Sequence, residues 1–403
     1  MLSGAGSIVT GTERKGETVK KKLLTSLILS LVLPGLLSGC GKDFGVRMES
    51  TEQMAESPVI KTREDAAQED GAKEEYNGKK ARDENLIRIN PAEEITELKT
   101  GLSAVRYEGD YGFDTFLEQG GADTDAGVAA WLTSLLEQEL SFSGTPFGCS
   151  TLSVENRDGG YLFGRNFDWN ACNGLIVSAK PENGFASVST VNLDFIRAGG
   201  MDISKLPDQM QALVSLYAPL DGLNEKGLAV SVNMIQDQAA IHQDTGKPDI
   251  TTTTAVRLLL DQAEDVEEAL ELLEQYDFHS SMGMMVHLAL ADAGGRSVAV
   301  EYVDNEMIVT ETPVVTNFYL AAGEKQGIGT AQSHTRYEIL RQALEEHEEM
   351  TEIEMRDALD SVSKDNFGEF ESTEWSIVMN QETKELIYYH REDYETRYLI
   401  SVE

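Results

Sequence analysis

Apolar positions are spread unevenly along the chain, and their period changes several times. Leu23 to Leu37 is one nearly unbroken apolar run, interrupted by Pro34. From Gly41 to about Thr100 apolar residues become scarce, as in REDAAQEDGAKEEYNGKKARDEN. They return with a helical period: Val128, Trp131, Leu132, Leu135 and Leu136 fall at i, i+3, i+4, i+7 and i+8. This predicts one apolar helix face, with Asp125 placed to cap its start. After FSGTPFG the period drops to two. Runs at 151–154 and 161–164 read as strands joined by a turn over Asn156-Arg157-Asp158-Gly159-Gly160. More strands are predicted at 175–179, 186–192 and 228–233, then helices at 254–262 and 266–276. Strands resume at 284–291, 297–302 and 307–310. A helix pair at 337–347 and 351–361 precedes a last meander at 375–379, 386–390 and 398–402. Strands come in consecutive groups and helices in pairs. That grouping predicts antiparallel sheets faced by helices, an α+β arrangement.

Composition narrows the function classes. The 403 residues hold 33 Lys+Arg against 70 Asp+Glu, a net charge of −37, which argues against nucleic acid as a partner. With 41% hydrophobic residues most of the chain can bury a core. Three Cys exclude a disulfide scaffold, and no Cys-x-x-Cys or His-x-x-x-His pair suggests a structural zinc site. No metal or organic cofactor is expected.

The N-terminal run reads as an address. Lys20, Lys21 and Lys22 precede about 15 apolar residues, short of the roughly 20 that span a bilayer. The order basic, apolar, small marks a secretory signal peptide over 1–39. Residues 1–18 are long and partly acidic for such a leader, and Val19 followed by three Lys fits its beginning better. Leu37-Ser38-Gly39-Cys40 resembles the lipobox of bacterial lipoproteins, which implies a lipid on Cys40 and an extracytoplasmic, membrane-anchored protein. Cleavage there removes five basic and two acidic side chains, leaving 28 − 68, or −40. Residues 40–100 cannot offset the entropy of ordering and are expected to form a disordered acidic tether.

Candidate chemistry centres on Cys149. It follows Gly148, opens a strand, and is trailed on the next strand by Gly164-Arg165-Asn166-Phe167-Asp168. A thiolate is the useful nucleophile, and a nearby guanidinium lowers the thiol pKa. If the chain were cut between Gly148 and Cys149, the new α-amine would titrate at about 7.7–8 and take the thiol proton itself. Asp168 could hold that amine by a charged hydrogen bond. Arg165 and Asp168 lie three apart on a strand and so face opposite sides, so a bend after Asn166 is expected if both meet Cys149. Six His are scattered, and no G-x-S-x-G occurs to anchor a serine hydrolase. Asn224 in NEKG reads as a turn former, and Cys172 as structural. A Cys149–Cys172 disulfide would silence the nucleophile.

At these residues the sequence resembles the choloylglycine hydrolase and penicillin V acylase family. GCSTLSVENRDGGYLFGRNFDW looks like the start of that family's mature chain, with Arg165 and Asp168 at 16 and 19 residues past Cys149. DGLNEKGLAVSVN ends at Asn233, VVTNF carries Asn317, SHTRYEIL carries Arg336, and STEWSIVMNQETKELIYY resembles the C-terminal hairpin. The resemblance implies a four-layer αββα sandwich of N-terminal-nucleophile hydrolase type over 149–403. It also implies Asn317 and Asn233 as oxyanion donors, Arg336 as a second active-site arginine, and self-cleavage at Gly148–Cys149. Residues 101–148 are expected to be an upstream helical segment, cleaved but docked, similar to the acid ceramidase and N-acylethanolamine acid amidase branch.

The expected activity is hydrolysis of linear non-peptide C–N amides of N-acyl compounds (bile-salt, penicillin or fatty-acyl type) through an acyl-thioester on Cys149. The alternatives are an N-acyltransferase using the same acyl-enzyme and a catalytically silent binding lipoprotein.

Overall fold

The computed structural model describes residues 85–136, 139–197, 203–365 and 371–403. The stretches expected to form a signal peptide (1–39) and most of the tether, with Cys40, lie outside these residues. Period-two patterning and tight turns build most of the rest. The sequence opens with β1 (Leu86–Arg88), β2 (Thr96–Lys99) and β3 (Leu102–Glu108), then α1 (Phe113–Glu118) and α2 (Asp125–Leu136). A short β4 (Ser141–Phe142) leads to the hairpin β5 (Gly148–Asn156) and β6 (Tyr161–Trp169). Gly159 and Gly160 make its turn at φ of 104° and 76°, a region glycine enters without penalty. β7 (Gly174–Lys180), β8 (Ser187–Asn192), β9 (Ile196–Arg197), α3 (Asp208–Leu216), β10 (Asp221–Asn224) and β11 (Ala229–Met234) follow. Next come β12 (Asp249–Thr251), α4 (Thr252–Gln262), α5 (Val266–Leu273) and β13 (Asp277–His279). The meander β14 (Val286–Ala291), β15 (Ser297–Val303) and β16 (Glu306–Glu311) leads to β17 (Val314–Val315). The chain ends with α6 (Ala331–Glu346), β18 (Glu349–Met350), α7 (Glu352–Asp360), β19 (Ser372–Asn380), β20 (Glu385–His390) and β21 (Asp393–Ser401).

Two large sheets result. One runs β1-β21-β20-β19-β6-β5-β17, with β18 alongside β5; the other runs β16-β15-β14-β11-β10-β8-β7-β3-β2. β5 packs against β11, so the sheets lie face to face. Helices α6 and α7 cover the outer face of the first sheet, and α3 and α4 that of the second. The order is therefore α, β, β, α, an α+β sandwich. Alternation along β6 shows why: Phe163 and Phe167 enter the core between the sheets, while Leu162 joins Leu340, Met355 and Leu359 under α6 and α7. Gly164 lets α7 approach, because a Cβ there would meet Met355 Sδ and Leu359.

The upstream residues depart from expectation in three ways. Order begins within the stretch assigned to the tether, at the strands β1 and β2. Both are edge strands with mostly exposed side chains, so they lack the apolar alternation that marks a strand in sequence. Second, residues 101–148 are not only helical. β3 is inserted into the second sheet, parallel to β7 from Leu102↔Gly174 to Glu108↔Lys180, and β1 runs parallel to β21 in the first sheet. Third, α2 buries Val128, Ala129, Leu132 and Leu136, but Leu135 is 41% exposed. Trp131 donates to the Tyr217 hydroxyl at 2.9 Å and packs on Phe116, a partner from its own upstream piece. Thr124, not Asp125, takes the capping hydrogen bond, from Gly127 N–H. The Asp125 carboxylate instead accepts from Met282 N–H, and burial raises its pKa. Among the described residues no helix is long and apolar enough to cross a membrane.

Leu102, Val105, Phe116, Val128 and Leu132 are each at most 2% exposed, and each such side chain contributes about 1.5–3 kcal/mol. A whole domain has only about 5–15 kcal/mol of net stability. A chain beginning at Cys149, produced without the upstream residues, is expected to be insoluble or to lack near-ultraviolet circular dichroism. A cooperative thermal transition for that chain would show that the upstream strands are dispensable.

Candidate active site

The hairpin sorts its residues by parity. Cys149 pairs with Phe167 and Thr151 with Arg165, whereas Gly148 pairs with Asp168 and Ser150 with Asn166. Cys149 and Arg165 therefore point between the sheets, and Asp168 points toward the α6–α7 side. Cys149 Sγ donates to Val232 O at 3.4 Å, and Arg165 Nη1 donates to the same oxygen at 3.0 Å and to Ser231 Oγ. Arg165 Nε lies 2.6 Å from Asp221 Oδ2, with both side chains fully buried. Trp375 Nε1 donates to the same carboxylate at 3.1 Å, and the guanidinium lies 5.6 Å from the Phe167 ring centre. Arg165 Nη2 has no hydrogen-bond partner among the described residues. An unmatched buried donor is costly, and functional sites are where such donors persist.

The other candidates gather around the backbone of Cys149. Its N–H donates to Asn317 Oδ1 at 3.0 Å, and Arg336 Nη2 donates to the same oxygen at 2.7 Å. Arg336 Nη1 donates to Cys149 O and Ser150 Oγ, each at 2.6 Å, and lies 3.4 Å from Asp168 Oδ2. Asn317 Nδ2 donates to Met234 O at 2.6 Å, and Asn233 Nδ2 to Val315 O at 3.2 Å. Thr373 Oγ1 donates to Asp168 Oδ1 at 2.7 Å, and Lys364 Nζ lies 3.7 Å from Asp168 Oδ2. A bulge lets Thr373 reach: the β19–β6 register slips between Thr373 and Trp375 and re-aims that side chain. Instead of a bend after Asn166, regular pairing brings Asp168 beside the Gly148–Cys149 peptide from the face opposite the thiol. The space at Gly148 is tight: a Cβ there would lie 2.9 Å from Lys364 Nζ and 3.1 Å from Asp168 Oδ2.

Sequence reasoning passed over Asp221, Ser231, Ser150, Lys364 and Thr373. Asp221 had a signal, since it opens DGLNEKGLAVSVN, the segment that ends at Asn233. The bulge that enlists Thr373 has none. Asn224 ties the β10–β11 turn, accepting from Lys226 and Leu228 N–H and donating to Leu260 and Ala263 carbonyls. Cys149 and Cys172 are both buried and free. His287 Nε2 donates to Thr316 O at 2.8 Å, beside Asn317 in sequence, and its Nδ1 lies 3.0 Å from Glu301 Oε1.

Burial dominates the thiol, pushing Cys149 up to about 12; Arg165 and Arg336 pull it down, while Asp168 and Asp221 push it up. Burial likewise raises Asp221, against the pull of Arg165. Cys149 is thus a neutral thiol in this structure.

Residues 149–318 match the family model of the linear amide C-N hydrolases, choloylglycine hydrolase family. The region resembles that family. The match begins at Cys149 and supports an amidohydrolase acting on linear C–N bonds. A penicillin V acylase of Pectobacterium atrosepticum is 28% identical over 99 residues, covering 22% of this chain and 26% of its own length. The alignment thus spans about a quarter of that relative. A conjugated bile acid hydrolase structure from Clostridium perfringens overlaps with a TM-score of 0.47 at 19% identity, covering 63% of this chain and 92% of its own. A penicillin V acylase from Agrobacterium tumefaciens gives 0.43 at 19%, covering 60% and 83%. A Caenorhabditis elegans N-acylethanolamine-hydrolyzing acid amidase ortholog gives 0.38 at 16%, covering 58% and 93%.

Two outcomes follow from the buried groups. A free Cys titrates near 8.5, so at pH 8.5 the uncut chain should carry about a thousandfold less Cys149 thiolate than an exposed cysteine. Pulse alkylation read by peptide mass spectrometry should leave Cys149 unlabelled; rapid labelling contradicts the neutral thiol. The raised value also means that this thiol favours folding below about pH 8.5 and that the benefit is lost as pH climbs toward 12. Asp221→Asn strands the Arg165 charge and should cost about 3–5 kcal/mol, read from the denaturant midpoint.

Proposed function

We propose that this chain cleaves itself between Gly148 and Cys149 and then hydrolyses linear amides of N-acyl compounds through an acyl-thioester on Cys149. One observation carries the reading: Asn317 and Arg336 hold the backbone N–H and C=O of Cys149 rather than its side chain. A site built around a peptide nitrogen makes sense if that nitrogen reacts. In maturation the Cys149 thiol attacks the Gly148 carbonyl carbon, the C–N bond breaks, and the thiol proton passes to the departing amine. Water then cleaves the thioester, leaving a Gly148 carboxylate and restoring the thiol. The released α-amine lies beside Asp168 and serves as the base in later turnovers.

In turnover, Cys149 attacks the substrate carbonyl while the Arg165 charge stabilises developing thiolate. Asn317 and Asn233 each keep a second amide hydrogen beyond those given to Met234 O and Val315 O, and these face the oxyanion. The amine protonates the leaving group and then activates water. We place the mature protein outside the cytoplasm of a bacterium, anchored by a lipid on Cys40 and lifted from the membrane by its acidic tether. The basic–apolar–small leader supports that placement.

Mass spectrometry and N-terminal sequencing of active protein should find a chain starting at Cys149 and running to Glu403, 403 − 148 or 255 residues. The acyl group of an N-acyl amide substrate should be trapped on it and released by hydroxylamine. An active but uncut chain overturns the mechanism. Arg165→Lys keeps the charge but cannot span Asp221, Ser231 and Val232 together. Its turnover should fall by about a hundredfold or more, as when one preorganised donor is lost. A rate close to wild type would make Arg165 purely structural.

A further inference from the structure

Asn317 is only as well aimed as the segment that carries it, and that segment is held by two residues outside the set that bonds Cys149. Asn233, His287 and Glu301 stand opposite one another across β11, β14 and β15, so their side chains form a row on one face of the second sheet. All three are at most 1% exposed. The row meets the backbone of one short segment, 315–321. Asn233 Nδ2 donates to Val315 O at 3.2 Å, and His287 Nε2 to Thr316 O at 2.8 Å. Glu301 Oε1 accepts from Leu320 N–H at 2.9 Å, and its Oε2 accepts from Ala321 N–H. Asn317 lies between these holds, and its own N–H donates to Ser333 Oγ on α6 at 2.6 Å. His287 Nδ1 lies 3.0 Å from Glu301 Oε1, so a shared proton joins the two into one unit. Burial opposes charge on Glu301, but the His287 contact and the two backbone N–H groups outweigh it and hold the carboxyl below its ordinary range. Well-packed apolar residues stabilise a core as well as such a buried pair does, so stability alone is a poor reason for it.

We propose that His287 and Glu301 are positioning residues for the oxyanion site, fixing the 315–321 segment so that the free amide hydrogen of Asn317 keeps its aim. The inference rests on the amidase reading above. Asn317 Oδ1 is engaged by Cys149 N–H and Arg336, and one Nδ2 hydrogen by Met234 O. The remaining Nδ2 hydrogen then has one direction, set by where the Asn317 backbone stands. Three supports fix that backbone: His287 just before it, Glu301 just after it and Ser333 at its own nitrogen. A donor to a developing oxyanion works by being preorganised, and a misplacement of about 1 Å can cost about a hundredfold.

The test uses the full chain with two variants at one position. His287→Ala removes the hold on Thr316 O, whereas His287→Gln keeps a donor at the Nε2 place and gives up only the Glu301 contact. Hydrogen–deuterium exchange read by peptide mass spectrometry should quicken over 315–321 by about tenfold in His287→Ala, the loss of one hydrogen bond, and much less in His287→Gln. With phenylacetyl and decanoyl 4-nitroanilides, His287→Ala should lower kcat by about tenfold or more and leave KM nearly unchanged. His287→Gln should recover most of that loss. Alkylation of Cys149 by iodoacetamide should keep its wild-type rate, since Arg165 and the thiol are untouched; a general loosening of the site would speed it. Glu301→Gln, which keeps one of two acceptors, gives the same readings in milder form if His287→Ala does not fold. Unchanged exchange over 315–321, an unchanged kcat, or a loss of kcat that comes with faster alkylation and no rescue by Gln overturns the positioning role. Wild-type protein that turns over no N-acyl amide sinks the amidase reading and the role with it, and the exchange arm then still shows whether the segment is clamped.

Discussion

The two sheets are held in register by a guanidinium with no access to water. Arg165 leaves the first sheet on β6 and spends its donors on the second: Asp221 on β10, Ser231 and Val232 on β11. A buried ion pair is seldom worth more than a good apolar replacement, yet breaking one side of it is expensive. Here that asymmetry acts as a constraint on geometry. The sheets cannot slide by a residue without stranding either charge. The Val232 carbonyl that takes Arg165 also takes the Cys149 thiol, so the nucleophile inherits its place from the structural pair.

From that fixed point the site is divided between the two faces of one sheet. Strand parity sends Cys149 and Arg165 inward and Gly148 and Asp168 outward, so no single face holds the whole constellation. What unites it is the backbone of Cys149, reachable from both sides. Arg336 comes from α6 to the carbonyl of Cys149, Asn317 from the end of β17 to its nitrogen, and Asp168 from the neighbouring strand. A side-chain nucleophile alone would need only the inner face. The outer apparatus has a purpose once the nitrogen is a reacting atom.

Much of this was legible because strands and helices in the second half announce themselves by period. The β5–β6 hairpin, the α4–α5 pair and the final meander all lie where alternation and turn residues put them. The Cys149, Arg165, Asp168, Asn233, Asn317 and Arg336 set was named through its motifs; in the structure Asn317 and Arg336 bond the Cys149 backbone, and Arg165 shares the Val232 carbonyl with its thiol. Other features left no trace in the pattern. β1 and β2 are edge strands whose side chains face water, so their composition matches a solvated tether. β3 is internal, but its parallel partner β7 lies some seventy residues on, and nothing local signals that pairing. Leu135 shows that an apolar stripe can be wider than the surface it covers. The bulge before Trp375 and the placement of Lys364 depend on register between distant strands.

The upstream strands constrain the order of events. β1 completes an edge of one sheet and β3 lies inside the other, so residues before Cys149 belong to both halves of the sandwich. The groups around the Cys149 backbone come from Asp168, Asn317 and Arg336, as far as 187 positions downstream. They converge only when the sandwich has closed. The proposed self-cleavage would therefore follow folding, with the upstream residues already woven into both sheets before the bond breaks. Its retention then rests on parallel and antiparallel ladders and a buried apolar face rather than on the peptide bond. A cut that freed a reactive amine in an unfolded chain would waste it; under the proposed mechanism the fold is the condition for the cut, and Cys149 is buried as a neutral thiol in the folded chain.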